Sequence, residues 1–449
     1  MENKLVQVFL NALQVPDLRR RIQFVLGMFV IFVFGAHIPV PGTDAAELVR
    51  FFDQAAGGAG GSGGGIWELL DLFSGGALKQ FSLFALGVMP YINASIIFNL
   101  LVVIIPQLEE LQKEGEAGRK LIAQYTKYAT VFLAAFQAIG LLTLFNQTGL
   151  VQAEPGTPSY YFDIALIVLT MTTGTFALMW VGELISERGI GNGVSLIIFA
   201  GIVSIMPLTL VQDMTTAYAQ GQAPELIKQI ILFSALTVGM VWCITFMHLA
   251  ERRIPVHYAR RQVGRRFYEG RTHYLPLKVN MAGVIPIIFA ISVLLFPSTI
   301  GNFFDPGSEG FGGMFAKWTR TFPNSWLYFT VYWILTMVFT YFYTAVTFNP
   351  KDIAENLQKQ GGYIQGVRPG KRTELYISRI LERTTFIGAL YLAAVAVIPS
   401  VLYIYVFKNM STLNLIGGTS ILIMVGVALD TVRELDARLT MIRYESAIG

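Results

Sequence analysis

The chain has 449 residues, of which 54% are hydrophobic and 14% charged, with a formal net charge of +4. Soluble domains carry about 25% charged residues, so this composition excludes a soluble globular protein and specifies a polytopic membrane protein. The single cysteine, Cys243, excludes an intramolecular disulfide and a cysteine-based metal site, and reads as a small core residue.

Met1 to Arg21 are mixed and charged, with no cleavable signal pattern. Leu5, Val8, Phe9, Ala12 and Leu13 follow helical spacing, which predicts an amphipathic helix lying on the membrane surface. A membrane helix needs about 20 mainly apolar residues. Spans are expected near 22–40, 78–105, 126–145, 162–184, 193–211, 227–249, 280–300, 326–348, 384–407 and 413–431.

Between the first two spans, Gly57 to Gly65 form a glycine-rich tether. Ile66-Trp67-Glu68-Leu69-Leu70-Asp71-Leu72-Phe73 follow, enough for about two helical turns and too few to span. Gly75-Gly76 close the segment. Glycine hinges on both sides let such a helix move as a unit, although an immobile re-entrant cap has the same pattern.

The second span opens on Gly87-Val88-Met89-Pro90-Tyr91-Ile92, and the seventh on Gly283-Val284-Ile285-Pro286-Ile287-Ile288. A repeated Gly/Pro-interrupted segment points to the working centre of a two-fold membrane machine.

Lysines and arginines fix the orientation. Of the 33, 27 fall in the N-terminal segment, in the connections after spans two, four, six and eight, and in the C-terminal segment. The other six are Arg50, Lys79, Lys228, Lys317, Arg320 and Lys408. The positive-inside rule then places both termini in the cytoplasm and supports an even number of spans. Five spans per half make the second half inverted relative to the first, with a pathway at their interface. The expected organisation is a cytoplasmic amphipathic segment 1–21, a first half 22–211, a second half 212–435 and a cytoplasmic C-terminus 436–449.

His37, Asp163, Glu183, His248 and Asp430 all fall near predicted helix ends, leaving the span centres almost without charge. Coupled transporters usually keep ionisable groups at depth. The chain contains no Walker A, His-Glu-x-x-His or Gly-x-Ser-x-Gly motif. Gly189, Gly191 and Gly193 form a glycine-rich stretch, but an apolar helix follows it and no strand precedes it, so it does not read as a nucleotide site. The cytoplasmic connections 251–279 and 349–383 are long and basic. Such loops interact with anionic lipid, yet their length points to a further function.

Several long motifs, in order, resemble the SecY/Sec61-alpha family over essentially the whole chain. They are Phe73-Ser74-Gly75-Gly76-Ala77-Leu78, Ala85 to Ile92 with Ala94-Ser95-Ile96-Ile97, Glu187 to Ser195, Leu275 to Pro286, and Gly366-Val367-Arg368-Pro369-Gly370. The resemblance implies an all-α membrane protein, with ten transmembrane helices in two inverted five-helix halves around a central pore. It implies an hourglass closed by a ring of Val88, Ile92, Val194, Ile198, Ile288 and Ile423. The i, i+4 spacing of Val88/Ile92 and Val194/Ile198 agrees, since each pair points the same way. β-branched side chains are stiff at χ1, and an apolar constriction resists ion flow by dewetting.

The same resemblance makes 66–74 a plug, with Ile66, Trp67, Leu69, Leu70, Leu72 and Phe73 as its apolar residues. It implies a lateral gate to lipid between spans two and three and spans seven and eight, with Asn93 and Phe296 on its two faces. It makes Arg260, Arg261, Arg265, Arg266, Arg368, Lys371 and Arg372 the docking residues for the ribosome, through its RNA, or for the SecA motor ATPase. It also implies SecE and SecG subunits, signal sequences and preproteins as partners, contact with membrane lipid, residence in the bacterial cytoplasmic membrane and no cofactor.

The function so implied is a passive polypeptide channel driven by partners. A secondary transporter of a small solute shares the inverted-repeat pattern, but it fits neither the uncharged span centres nor the large basic loops. An intramembrane enzyme needs a nucleophile or metal constellation at depth, and the four histidines 37, 248, 257 and 273 form none.

Overall fold

The computed structural model describes residues 10–43, 71–145, 157–219, 223–258, 261–263, 266–268, 272–301, 303–304, 310–322, 325–406 and 418–448. Among them, ten helices of 16 residues or more account for the ten predicted spans. The first half contains α1 (Pro16–Ala36) and α2 (Met89–Ile104), which bends by 99° into the short α3 (Pro106–Lys113). It continues with α4 (Glu116–Phe145), α5 (Pro158–Arg188) and α6 (Gly193–Ala219). The second half contains α7 (Ala223–Leu249), α8 (Ile285–Gly301), the short α9 (Phe311–Thr321) and α10 (Trp326–Thr347). The short α11 (Pro350–Lys359), then α12 (Lys371–Val406) and α13 (Gly418–Ile448), complete it.

Local chemistry sets several of these boundaries. Pro106, Pro158 and Pro350 sit in the first turn of their helices, where the missing N–H costs nothing. Thr157, Ser325 and Asn349 cap α5, α10 and α11 by accepting from Tyr160, Leu327 and Lys351 N–H groups.

In the first half α2 packs on α4, α4 on α5 and α5 on α6, with α1 against α5 and α6; in the second, α8 packs on α10, α10 on α12 and α12 on α13, with α7 against α13. Between the halves, α8 lies against α2 and α4, and α6 lies against α13. One continuous apolar cluster joins both halves, from Phe32 and Ile92 through Ile198 and Ile291 to Leu392 and Ile423. Lys127 Nζ sits 2.7 Å from both carboxylate oxygens of Glu183 and ties α4 to α5.

The connection after α7, read above as a loop, is a β-hairpin. Strand β1 (Glu251–Tyr258) pairs antiparallel with β4 (Thr272–Lys278), Glu251 opposite Lys278 and His257 opposite Thr272. At the tip, β2 (Arg261–Val263) pairs with β3 (Arg266–Tyr268). After α11, β5 (Gly362–Ile364) adds to the other edge of β1, so the sheet order is β4-β1-β5. Ile254, Val256, Leu277, Ile364 and Ile377 bury themselves beneath it. The all-α membrane bundle therefore carries a small sheet at one end.

Three further boundaries differ from expectation. Helix α2 begins at Met89 rather than at residue 78, because 78–88 run as turns with Phe81 and Gly87 at positive φ. Helix α12 begins at Lys371, thirteen residues before the predicted span, so most of the second basic connection is helix or strand. The predicted tail 436–449 continues α13 to Ile448. In the N-terminal segment, Ala12 and Leu18 pack against Ile190, Leu435 and Leu439, while Leu5, Val8 and Phe9 lie outside the described residues.

Candidate functional site

Residues 71–88 form the entry to α2 and depend on short-range polar contacts. Asp71 Oδ1 accepts from the Lys79 N–H at 2.9 Å. Ser74 Oγ donates to the Asp71 carbonyl at 2.9 Å and accepts from the Leu78 N–H at 3.2 Å. Leu83 N–H donates to the Ile38 carbonyl at 2.8 Å, and Val40 N–H to the Phe81 carbonyl at 3.0 Å, which pins this stretch to the end of α1. Burial raises the Asp71 carboxyl from 3.8 to about 6, against the N–H groups and charge of Lys79 and the N–H of Leu78.

Glycines make room for close backbone contact. Gly75 and Gly201 of α6 approach so that a Cβ on Gly201 would lie 3.2 Å from the Gly75 Cα. A Cβ on Gly87 would lie 3.2 Å from the Ser74 Cα. The 71–76 segment is thus wedged between α6 and the turn preceding α2.

Leu72 and Phe73 are fully buried in the same apolar cluster as Val88, Ile92, Ile198 and Ile423, with Val194 and Ile288 packed against it. All six expected ring residues and the two described plug residues thus belong to, or pack against, one apolar cluster that also extends to Phe233 and Leu392. Ile66, Trp67, Leu69 and Leu70 lie outside the described residues.

On the side of the sheet, Ile198, Ile288 and Ile423 form part of the wall of a cavity of about 380 Å³. The rest of its wall mixes apolar residues such as Met281, Val284 and Val427 with the polar Asn192, Ser195, His248, Lys278, Asn280, Asp430 and Glu434. Asp430, expected near a helix end, lies inside α13 because that helix continues past the predicted span.

Hydrogen bonds fix this mouth. His248 Nε2 pairs with Asp430 Oδ1 at 3.0 Å, and Arg433 Nη2 donates to the His248 carbonyl at 3.0 Å. Across the halves, the Gly191 N–H donates to Glu434 Oε2 at 2.9 Å.

The glycine-rich stretch at the mouth turns the chain. Gly189 ends α5 and Gly191 takes φ +84°. Asn192 Oδ1 accepts from the Ser195 N–H at 3.1 Å at the start of α6. A Cβ on Gly193 would collide with the Gly182 carbonyl.

The predicted gate residues lie on the two helices, α2 and α8, that meet across the halves. Asn93 is half-buried on α2, and Phe296 is exposed on α8. Sequence reading missed the residues that join the two walls at the end away from the sheet. Phe303, just past α8, stacks on Phe136 of α4 with ring centroids 4.9 Å apart. A Cβ on Gly140 would lie 3.0 Å from Phe303 Cε2, so the glycine provides the slot for that ring. No periodicity signals this contact, because it joins residues distant in sequence.

The basic residues are spread over the sheet end. Arg261 and Arg266 lie on the hairpin tip; Arg260 and Arg265 fall outside the described residues. Arg368, Lys371 and Arg372 are exposed. Gly366 and Gly370, at φ +82° and +95°, make the turn that presents Arg368. Thr373 Oγ1 donates to the Arg368 carbonyl at 3.0 Å and holds that turn.

Comparison with known proteins gives concordant matches. The SecY family model matches residues 82–432. Protein translocase subunit SecY of Escherichia coli (strain K12) is 43% identical over 438 residues, covering 96% of this chain and 94% of that one. Protein translocase subunit SecY of Mycobacterium tuberculosis (strain H37Rv) is 41% identical over 452 residues, covering 98% and 99%. In fold, the chain is similar to a solved protein-conducting channel, with TM-score 0.61 and 18% identity over 92% of this chain and 91% of that one. It is also similar to Sec61 in a canine ribosome–channel complex, with TM-score 0.58 and 18% identity over 92% and 91%.

Proposed function

The chain belongs to the SecY family, and from that premise we propose how its parts conduct a polypeptide. It is a membrane protein and the channel subunit of a protein translocase. A small-solute transporter is set aside by the family.

The reading rests on one observation: Ile198, Ile288 and Ile423 line a cavity and also belong to, or pack against, the apolar cluster that contains Leu72 and Phe73. Val88, Ile92, Val194, Ile198, Ile288 and Ile423 form the constriction around an extended chain. Apolar side chains grip such a chain weakly whatever its sequence, and they oppose ion flow by dewetting. The 66–74 segment is the plug, and its described residues 71–74 sit against Gly201 and Gly87. For a polypeptide to pass, it must leave that seat.

The halves separate where α8 meets α2 and α4, releasing apolar segments into lipid past Asn93 and Phe296. The chain does no catalysis; energy comes from partners. The sheet end, with Arg260, Arg261, Arg265, Arg266, Arg368, Lys371 and Arg372, docks the SecA motor or the ribosome, where basic residues meet acidic protein or RNA phosphate. The sheet end and both termini face the cytoplasm, the membrane is the bacterial cytoplasmic membrane, and SecE and SecG complete the complex.

The test is reconstitution. Vesicles carrying the chain with its co-purifying subunits should shield a secretory preprotein from added protease only with the motor and ATP. Equal shielding in vesicles without the chain, or none with it, would overturn the reading.

A further inference from the structure

Helix α9 carries a large apolar face that the bundle does not cover. It lies between α8 and α10, at the end opposite the sheet, because β4 leads into the start of α8. Its eleven residues are too few to span a bilayer. Gly313, Ala316 and Thr319 face the bundle and are buried. The opposite face presents Phe311, Met314 and Trp318, which are 83%, 73% and 46% exposed.

The helix is firmly attached on its inner side. A Cβ on Gly301, at the end of α8, would collide with Thr319. Phe304 meets Phe315 edge-on at 6.1 Å, and a Cβ on Gly312 would lie 2.8 Å from Phe304. Toward α10, Trp318 packs on Phe322 at 4.9 Å and Phe322 on Tyr328 at 5.7 Å. The exposed stripe is therefore held in place, and its apolar area stays open.

We propose that α9 lies in the interfacial zone of the outer bilayer leaflet, its Phe311/Met314/Trp318 face buried at the headgroup–acyl boundary. Three observations select lipid as the occupant. Exposed aromatic residues also stand at the ends of the two flanking spans, Phe303 and Phe304 beyond α8 and Trp326 at the start of α10. Aromatic side chains collect at that depth in a membrane. Lys317 is exposed on the flank between the apolar stripe and the packed face, where its stem can run along lipid and its ammonium reach the phosphates. A short helix with one packed face and one apolar face flanked by a cation has the pattern of an in-plane helix.

A mechanical consequence follows. Because α9 is packed on Gly301 and Phe304, lipid that holds α9 also holds the end of α8 beside Phe303, the residue stacked on Phe136. The outer leaflet thereby bears on one wall of the contact between the halves.

The test uses the full chain, with its co-purifying subunits, in vesicles of phosphatidylethanolamine and phosphatidylglycerol. In a Cys243→Ser background, nitroxide labels are placed at Met314→Cys and, separately, Lys317→Cys. Oxygen should relax the 314 label strongly, while a water-soluble nickel chelate should reach it roughly tenfold less than the 317 label. Phe311→Cys gives the same reading if Met314→Cys fails to assemble. Equal chelate access at 314 and 317 would place the stripe in water and overturn the proposal. Shielding of 314 from both reagents would put protein on the stripe and overturn it as well.

Discussion

Gly87 and Gly283 hold almost the same backbone conformation, φ +58° and +63°, although each belongs to a different half of the chain. Each is followed by a residue and then by the first residue of a helix, Met89 of α2 or Ile285 of α8, with proline next. The repeated Gly-Val-x-Pro is thus one structural device used twice. A left-handed glycine breaks the approach, and a proline in the first turn starts the helix. The two helices it launches, α2 and α8, meet across the halves.

The two glycines should differ in their response to substitution. An L-residue at either φ costs about 1–2 kcal/mol. At Gly283 a Cβ meets nothing within 4 Å, so Gly283→Ala should cost that strain alone. At Gly87 the Cβ also presses on Ser74, so Gly87→Ala should cost more and loosen the 71–76 segment. Heating in detergent, with reaction of the half-buried Cys243 as the readout of unfolding, should rank the midpoints parent, Gly283→Ala, Gly87→Ala. The reverse order of the two variants would contradict the account.

The Phe303–Phe136 stack predicts a gating phenotype. Phe303→Ala removes a stacked pair worth about 0.5–1.5 kcal/mol at the contact between the halves. Opening should become easier, so export of a preprotein with a weakened signal sequence should rise several-fold over the parent. Gly140→Ala should act in the same direction by pushing the Phe303 ring from its slot. Unchanged export in Phe303→Ala would remove the residue from the gate.

Asp71 predicts a pH dependence in the seat of the plug. Its folded pKa is raised from 3.8 to about 6 by burial, so folding favours the protonated form. Its contribution to seating is full below 3.8 and is lost as pH rises through about 6. At neutral pH the segment bears the cost of a buried carboxylate. After correction for intrinsic exchange rates, amides of 72–79 should lose protection between about pH 4 and 6 in the parent and level off above that. Asp71→Asn, neutral throughout, should flatten that slope. The same slope in both proteins would exclude Asp71 as its source.

Local pattern made the two aliphatic pairs legible. Val88/Ile92 and Val194/Ile198 repeat at i, i+4, and Val88, Ile92 and Ile198 belong to the apolar cluster against which Val194 packs. Ile288 was marked by the repeat, standing two residues after Pro286 as Ile92 stands after Pro90; Ile423 carries no such signal, and the family resemblance supplied it. The hairpin was present in the sequence as an alternation, with Ile254 and Val256 buried between exposed neighbours, but the surrounding arginines read as loop. The start of α2 was hidden because 78–88 are as apolar as a span, and only the backbone at Phe81 and Gly87 breaks the helix. The Phe303–Phe136 stack and the Gly191–Glu434 bond are tertiary contacts with no local pattern.

The central claim is that a translocating chain passes through the ring that includes Ile423. The direct test replaces Cys243 with serine and places a lone cysteine at Ile423. A secretory chain carrying its own cysteine is then stalled in membranes that contain the complex. A disulfide to position 423 that requires an intact signal sequence and the motor or ribosome is the predicted result. No disulfide at Ile423 or at Ile92, with the stalled chain shown to be engaged, would contradict the ring assignment.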